Sequence, residues 1–207
     1  MTRRRPLPRL HAVTDAGVLA RPDLGVRAAA IAAAGSAVAL HARDRGATGG
    51  ALAAVAARFV ALARPAEAGV FVNARPDVAA AVGAQGVQLG RDDLAPGDAR
   101  RVLPHGWVGR SVHGAEEARA ARDEGADFLL VGPVYPTASH PGRLPGGLAL
   151  VATCAELGLP VVGIGGITAE RVAEVREAGA YGVAAIRALW DAADPAGAAI
   201  ELLEALS

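Results

Sequence analysis

Residues Val161–Thr168 read VVGIGGIT, a short β-branched run followed at once by two glycines and then by a helical stretch. The run is typical of a buried strand. Glycine lets the backbone approach an anion closely, and the N–H groups at the start of a helix attract negative charge. We therefore expect Gly165 and Gly166 to bind a phosphate through the backbone, although a tight turn without a ligand is the simpler alternative.

Strand-and-helix units of this kind repeat from one end of the chain to the other. Eight β-branched runs alternate with eight helical stretches, which indicates a parallel sheet with crossover helices. Eight units predict a single (β/α)₈ TIM barrel over residues 1–207, with residues 1–8 as a flexible basic tail. An open doubly wound sheet is the alternative, but it needs no eighth unit and would usually carry its glycine-rich turn after the first strand.

The ends of the elements are marked by prolines and glycines. Pro76 and Pro195 are expected in the first turns of their helices, and Gly35, Gly125 and Gly179 are expected as left-handed caps at helix ends. The predicted strands are Leu10–Thr14, Val38–His41, Val70–Val72, Val87–Leu89, Val108–Ser111, Phe128–Val131, Val161–Ile164 and Val183–Ile186. The predicted helices lie near residues 25–34, 50–63, 76–82, 97–102, 115–123, 146–156, 169–177 and 196–206.

The composition indicates what kind of core the chain can form and which classes of binding partner it excludes. Of the 207 residues, 52% are hydrophobic, which is enough for one substantial core. Because 21 basic residues balance 21 acidic ones, we expect neither nucleic acid nor membrane as a partner, and we find no run of roughly 18 apolar residues that would span a bilayer. The single cysteine, Cys154, excludes an internal disulfide, is expected to be a buried inert thiol, and suits a reducing cytoplasm.

In a barrel of this kind the functional groups lie where the strands end. After strand eight, Ile186 and Arg187 are expected to form the other side of the phosphate clamp. After strand six, a loop rich in proline, glycine and hydroxyl groups is expected to cover the mouth of the barrel. Thr137, Ser139 and His140 in that loop are candidates for contact with a substrate.

Strands five and two end in groups suited to proton transfer and anion binding. Alternation along strand five carries Ser111 and then His113 toward the mouth, and His113 is the candidate general acid/base because an imidazole titrates near neutrality. Strand two ends in His41-Ala42-Arg43-Asp44-Arg45. Arg43 could grip both oxygens of a carboxylate, whereas solvated loop charges are the simpler alternative.

Strands three and four raise the question of a metal. Asp92 and Asp93 follow Gln88 and could hold Mg²⁺ beside a diphosphate. A second carboxylate is missing, because strand three ends in Asn73 and then Ala74. The two aspartates could instead cap the next helix.

Five segments together carry a resemblance to a known family. They are LHAVTD (10–15), HARDR (41–45), VQL (87–89), GRSVH (109–113) and GIGGI (163–167), and in this order they resemble the thiamine phosphate synthase/TenI superfamily. The resemblance implies a barrel with a phosphate site. One branch of that superfamily couples a pyrimidine diphosphate to a thiazole phosphate, and the other aromatises the thiazole.

Three departures favour the second branch. A synthase usually shows Gln-x-Arg-x-Lys, Asn-Asp and Pro-Thr-x-Thr-Lys, where this chain has His41, Ala74 and His140 in place of the glutamine, the aspartate and the final lysine. We therefore predict a thiazole tautomerase, an isomerase that aromatises a carboxythiazole phosphate without a metal or an organic cofactor. In it His113 would move the proton, and the carboxylate would lie near Arg43 or Arg45.

The resemblance also sets the remaining expectations. The partner is a small phosphorylated thiazole, and a homodimer is possible because relatives often dimerise. One alternative is a divergent thiamine phosphate synthase with Mg²⁺ on Asp93, and another is a non-catalytic regulator that binds the thiazole phosphate. The predicted substrate-binding residues are His41, Arg43, Arg45, Asn73, Gln88, Ser111 and Thr137. The predicted phosphate-binding residues are Gly165, Gly166, Ile186 and Arg187.

Overall fold

The computed structural model describes residues 4–137, 142 and 144–207, and in it eight parallel strands form a closed barrel. Each strand pairs with the next, and β1 also pairs with β8, which excludes the doubly wound alternative and confirms the predicted (β/α)₈ barrel. The strands are β1 Leu10–Val13, β2 Val38–Ala42, β3 Gly69–Asn73, β4 Gly86–Leu89, β5 Trp107–Val112, β6 Phe128–Val131, β7 Val161–Ile164 and β8 Gly182–Ala185.

Helices cover the outside of the barrel, and their positions agree closely with the predicted ones. The additions are two four-residue helices, α1 after β1 and α9 after β8, which are too short to show a periodic pattern. A 3₁₀ turn, Arg64–Ala66, follows α3. The helices are α1 Ala16–Leu19, α2 Leu24–Ala32, α3 Gly49–Ala63, α4 Pro76–Val82, α5 Pro96–Val102, α6 Ala115–Asp123, α7 Gly147–Ala155, α8 Ala169–Glu177, α9 Arg187–Trp190 and α10 Pro195–Ala205.

The predicted helix boundaries are confirmed by the backbone. Pro76 and Pro195 each begin a helix, where the missing N–H of proline costs no hydrogen bond. Gly35, Gly125 and Gly179 have φ angles of +89°, +87° and +100°, the left-handed conformation expected of caps at helix ends. These caps turn the chain directly into the next strand.

The core has two layers. The outer layer lies between barrel and helices, where Phe59 and Trp190 stack, and it includes Cys154, whose thiol pKa is raised by burial. The inner layer fills the barrel and contains Phe71 and Phe128. The inner layer forms the floor beneath the mouth.

The segment before β1 differs from the predicted flexible tail. Residues 1–3 lie outside the described part of the chain, but residues 4–8 pack against the N-terminal end of the barrel. The Arg4 guanidinium lies 3.5 Å from the Trp107 ring centroid and pairs with Asp127 at 3.0 Å, and Leu7 is buried. Cation–π contact and burial of apolar surface therefore hold this part of the tail in place.

One segment meets a length-and-composition test for a membrane span, although it is no uninterrupted apolar run, because Arg58 and Arg64 lie within it. Gly49–Ala66 is long and apolar enough by length and composition alone. Its alanines produce that hydropathy on an exposed outer face, while Leu52, Ala56 and Phe59 are buried against the barrel. The segment comprises α3 and the 3₁₀ turn, and its place in the fold is that of a crossover helix.

Candidate functional site

A cavity of about 380 Å³ opens at the C-terminal ends of β5 to β8. Its wall includes the turn after β7, the first residues of α9 and the start of the loop after β6. Predicted residues from four strand ends meet here, while their roles remain predictions. They are His113, Thr137, Gly165, Gly166, Ile186 and Arg187.

The turn after β7 requires glycine for two reasons. The φ angles of Gly165 and Gly166 are +100° and +67°, which side chains rarely adopt. There is also no room for a side chain, because a Cβ on Gly165 would lie 2.7 Å from Pro133 Cβ and one on Gly166 would lie 2.7 Å from Tyr135 Cβ. The loop after β6 therefore packs directly on this turn.

Arg171, in the first turn of α8, is a residue of this cavity that sequence reasoning missed. Its Nη1 donates to Gly166 O at 2.7 Å, and its guanidinium lies 4.5 Å from the Tyr135 ring centroid. The Tyr135 hydroxyl donates to Glu174, and burial, followed by that carboxylate, raises the tyrosine pKa to about 12. The sequence did carry a signal for Arg171: it lies five residues after Gly166, and a long side chain at that position can fold back onto the turn.

His113 follows β5 and is anchored on two sides. Its backbone N–H donates to Glu117 Oε2 at 2.8 Å, and its ring Nδ1 makes a short hydrogen bond to Gly132 O. A carbonyl only accepts, so Nδ1 carries the ring proton and Nε2 is the nitrogen left for a ligand. The ring lies in the wall of the cavity.

The opposite half of the mouth is an arc of polar side chains on β2 to β5. His41 Nδ1 lies 3.2 Å from Asn73 Oδ1, and Gln88 Nε2 donates to Ser111 Oγ at 3.0 Å. Asn73 and Gln88 are partners in the β3–β4 register, so the two pairs adjoin. Gln88 is fully buried, and its Oε1 has no hydrogen-bond partner within the described residues.

His11 lies beneath this arc and was not predicted as a site residue. Its Nδ1 is 2.8 Å from His41 Nε2, and its Nε2 is 2.9 Å from Pro8 O. Burial lowers the pKa of His11 to about 4. Burial first, and then the neighbouring His11, lower the pKa of His41 well below its usual value, so both rings are neutral at neutral pH.

The loop after β2 carries the predicted arginines. Arg43 is half-buried, and its backbone N–H donates to Thr14 Oγ1 at 2.9 Å. Burial and then Arg45 lower the pKa of its guanidinium. Arg45 itself is exposed.

One prediction proposed that Asp93 caps the next helix, and this prediction is wrong. Its Oδ2 accepts the Gly90 N–H at 2.6 Å, and α5 begins at an N-cap, Ala95, that makes no side-chain cap. No group of three His, Cys, Asp or Glu side chains within the described residues could hold a metal.

Two predicted loop residues, Ser139 and His140, lie outside the described residues, so their roles stay predictions. The described part of the loop, up to Thr137, is attached to the turn after β7. Val134 N–H donates to Ile164 O at 2.9 Å and Tyr135 N–H donates to Gly165 O at 3.0 Å.

Comparison with known proteins identifies relatives along nearly the whole chain. A family profile described as thiamine monophosphate synthase matches residues 10–189. A thiamine-phosphate synthase of Salinispora tropica is 44% identical over 207 residues, covering 97% of this chain and 98% of the relative. One of Thermus thermophilus is 48% identical over 155 residues, covering 74% and 75%. A solved thiamine phosphate pyrophosphorylase of Pyrococcus furiosus has 34% identity and a TM-score of 0.82, covering 96% and 95%.

These relatives overturn the prediction of a thiazole tautomerase. The relatives from Salinispora tropica and Thermus thermophilus are named as synthases, although this chain has His41, Ala74 and His140 at the three positions that suggested an isomerase. Replacing ligand contacts alters the strength of binding, but it does not by itself change which bonds an enzyme makes. The assignment of His113 as the proton carrier of an aromatisation is withdrawn with that reaction.

Proposed function

This chain belongs to the thiamine monophosphate synthase family, and we propose that it is a transferase that couples a pyrimidine diphosphate with a thiazole phosphate to form thiamine phosphate. The observation that carries the proposal is the 44% identity with a protein named thiamine-phosphate synthase over nearly the full length of both chains. The pyrimidine diphosphate, the thiazole phosphate and the product are all small phosphorylated molecules.

The two halves of the mouth support a reaction between two ligands. The glycine turn after β7 and the start of α9 offer backbone N–H groups and a compact cavity, which suit the phosphate of the thiazole. The arc His41, Asn73, Gln88 and Ser111 offers imidazole, amide and hydroxyl groups, which suit a polar heterocycle. Arg43, at the rim of that arc, suits the diphosphate, because a guanidinium can bind two phosphate oxygens at once.

The coupling reaction requires little proton transfer by the protein. The bond between a pyrimidine-borne carbon and the diphosphate oxygen breaks, a bond from that carbon to the thiazole nitrogen forms, and diphosphate leaves with the electron pair. Positioning of the two ligands and charge stabilisation of the leaving group are therefore the main tasks. His113 and Thr137 serve as walls of the thiazole phosphate cavity in this proposal.

The residues fit Mg²⁺ only as an ion carried with the diphosphate. Mg²⁺ is often bound by one or two carboxylates together with substrate phosphates, and Asp93 is the carboxylate that β4 brings to this edge of the mouth. When bound there, the ion would supply neutralisation of the diphosphate charge. Asp93 keeps its orientation through the Gly90 N–H.

The test is a steady-state assay of thiamine phosphate formation with Mg²⁺ and both substrates, on the wild-type protein and on Arg43→Gln. Loss of a charge-assisted hydrogen bond should raise KM for the pyrimidine diphosphate by roughly 10- to 100-fold and leave KM for the thiazole phosphate unchanged. Arg176→Gln, an exposed change on the outside of α8, is the matched control. Absence of thiamine phosphate with the wild-type protein would refute the proposed function.

A further inference from the structure

A chain of hydrogen-bonding groups runs through the barrel interior, from Pro8 O at its N-terminal end to Asn73 at the mouth. The distances are 2.9 Å from Pro8 O to His11 Nε2, 2.8 Å from His11 Nδ1 to His41 Nε2, and 3.2 Å from His41 Nδ1 to the Asn73 amide. Both rings are fully buried, and Phe71 stacks on His41 with 5.0 Å between ring centroids. Neither the proposed reaction nor the packing of the barrel requires two histidines here.

Pro8 O, at one end of this series of hydrogen bonds, determines which atom donates in each of them. Pro8 O can only accept, so His11 Nε2 carries a proton. A neutral imidazole has a single N–H, so His11 Nδ1 accepts, and the proton of that bond belongs to His41 Nε2. His41 Nδ1 then has no proton and needs a donor.

The neutral state of both rings follows from their surroundings. Their hydrogen bonds within the described residues go to each other, to Pro8 O and to Asn73, and none goes to a carboxylate. The aromatic rings around them, Phe71 and Phe128, offer no compensation for a buried charge. The lowered pKa values of the two histidines agree with this.

The amide of Asn73 is the group that can supply the donor. Its two ends have the same shape and exchange places when the amide turns by 180°, so the hydrogen-bond chain decides between them. We propose that Asn73 Nδ2 donates to His41 Nδ1, and that Oδ1 is thereby presented on the other side of the amide, as an acceptor for an N–H group of the ligand in the mouth. His11 and His41 are positioning residues that act through Asn73.

The consequence is a preference in ligand chemistry, and only this step rests on the proposed function. Asn73 is partly exposed at the end of β3, beside Gln88. An acceptor held there favours a heterocycle bearing an amino group over one bearing an oxo group, because the oxo group would face a second acceptor. A site built around a hydrogen bond rejects such analogues strongly.

The orientation can be tested on the free wild-type protein by ¹⁵N NMR of its histidine rings at pH 7. We expect two solvent-protected imidazoles, His11 and His41, each protonated at Nε2 and not at Nδ1. The exposed His105 provides the reference signal of a solvated ring. A His41 ring protonated at Nδ1 would overturn the proposal, because Asn73 would then have to accept.

The variant Asn73→Asp tests the need for a donor, because aspartate has nearly the same shape as asparagine but an ionised carboxylate has no N–H group. An ionised carboxylate cannot donate, and reversal of both tautomers would leave His11 Nε2 facing Pro8 O without a proton. The new carboxyl or the ring pair should therefore hold one extra proton at pH 7, visible by ¹³C and ¹⁵N NMR. If the carboxylate is ionised and both rings stay neutral, then either Pro8 O does not fix the direction of these hydrogen bonds or His41 Nδ1 needs no donor, and in both cases the proposal fails.

The ligand preference is measured by the coupling reaction with amino- and oxo-substituted pyrimidine diphosphates. The wild-type protein should favour the amino compound in kcat/KM, and Asn73→Ala, which removes the acceptor, should lower kcat/KM for that compound about tenfold with KM for the thiazole phosphate unchanged. Equal use of both compounds would refute the preference. If the wild-type protein forms no thiamine phosphate, the proposed function fails, while the NMR result still decides the orientation of Asn73.

Discussion

Substitution of Gly166 by alanine should reduce the stability of the protein and disturb the cavity that we propose for the thiazole phosphate. The residue has φ +67°, where a Cβ costs about 1–2 kcal/mol. The new methyl group would lie 2.7 Å from Tyr135 Cβ and 2.8 Å from Pro136 O, so the loop after β6 must move, at a further cost of about 1–3 kcal/mol. The sum is roughly 2–5 kcal/mol, equivalent to a fall in Tm of roughly 5–15 °C for a chain of this size.

Gly83→Ala separates the two contributions, because Gly83 has φ +69° but, apart from its chain neighbours, no atom of the described residues lies within 4 Å of a new Cβ. The assay is thermal unfolding of both variants with and without thiazole phosphate. Gly83→Ala should lose only the stability that the unfavourable backbone conformation costs, and it should keep the full ligand-induced rise in Tm. Gly166→Ala should lose most of that rise. Equal destabilisation of the two variants, with equal rises on ligand addition, would refute the assignment of this turn to phosphate binding.

Three further changes test other parts of the site. Arg171→Met removes the donor to Gly166 O and should raise KM for thiazole phosphate about tenfold in the coupling assay; an unchanged KM would exclude a role in holding the turn. His113→Asn should keep kcat for coupling within roughly tenfold, since no proton moves to or from carbon, and a loss beyond about a thousandfold would restore an acid/base role. Because folding lowers the pKa of His11 from 6.5 to about 4, the unfolded chain binds more protons in that window. His11 alone should therefore lower the stability measured by denaturant by roughly 3 kcal/mol between pH 7 and pH 4, and constant stability would contradict neutral burial.

The sequence predicted the architecture well because the barrel repeats one local pattern. Each β-branched run is bounded by residues with a strong backbone preference, such as Pro76 at the start of α4 and Gly179 at the end of α8. These preferences are local, so they do not depend on knowing the fold. The segment before β1 was mistaken for a free tail, because the contact of Arg4 with Trp107 is made across about a hundred residues of chain.

The site was predicted in part, as far as strand ends alone could determine it. Residues of the cavity follow from the rule that strand ends share one mouth, and Gly165 and Gly166 line it as expected. The hydrogen bonds of His11 and His41 depend on the register between β1 and β2, which the sequence does not show. Arg171 reaches its partner by folding back from a helix, and periodicity does not predict that direction.

The choice of reaction was wrong for a different physical reason. Three altered contacts, at His41, Ala74 and His140, suggested that coupling had been lost. Each contact contributes an increment of binding, and Arg43, Asp93 and the glycine turn remain in the mouth. Relatives aligned over the full chain carry information on the whole set of contacts, which a count of three positions does not.

A ³¹P NMR time course on the wild-type protein with Mg²⁺, pyrimidine diphosphate and thiazole phosphate tests the central claim most directly. If the two halves of the mouth hold the two substrates for coupling, the signals of the substrates should decline together, while free diphosphate and thiamine phosphate appear in equal amounts. Unchanged substrate signals, or release of diphosphate without thiamine phosphate, would contradict the assignment of this chain as a coupling enzyme.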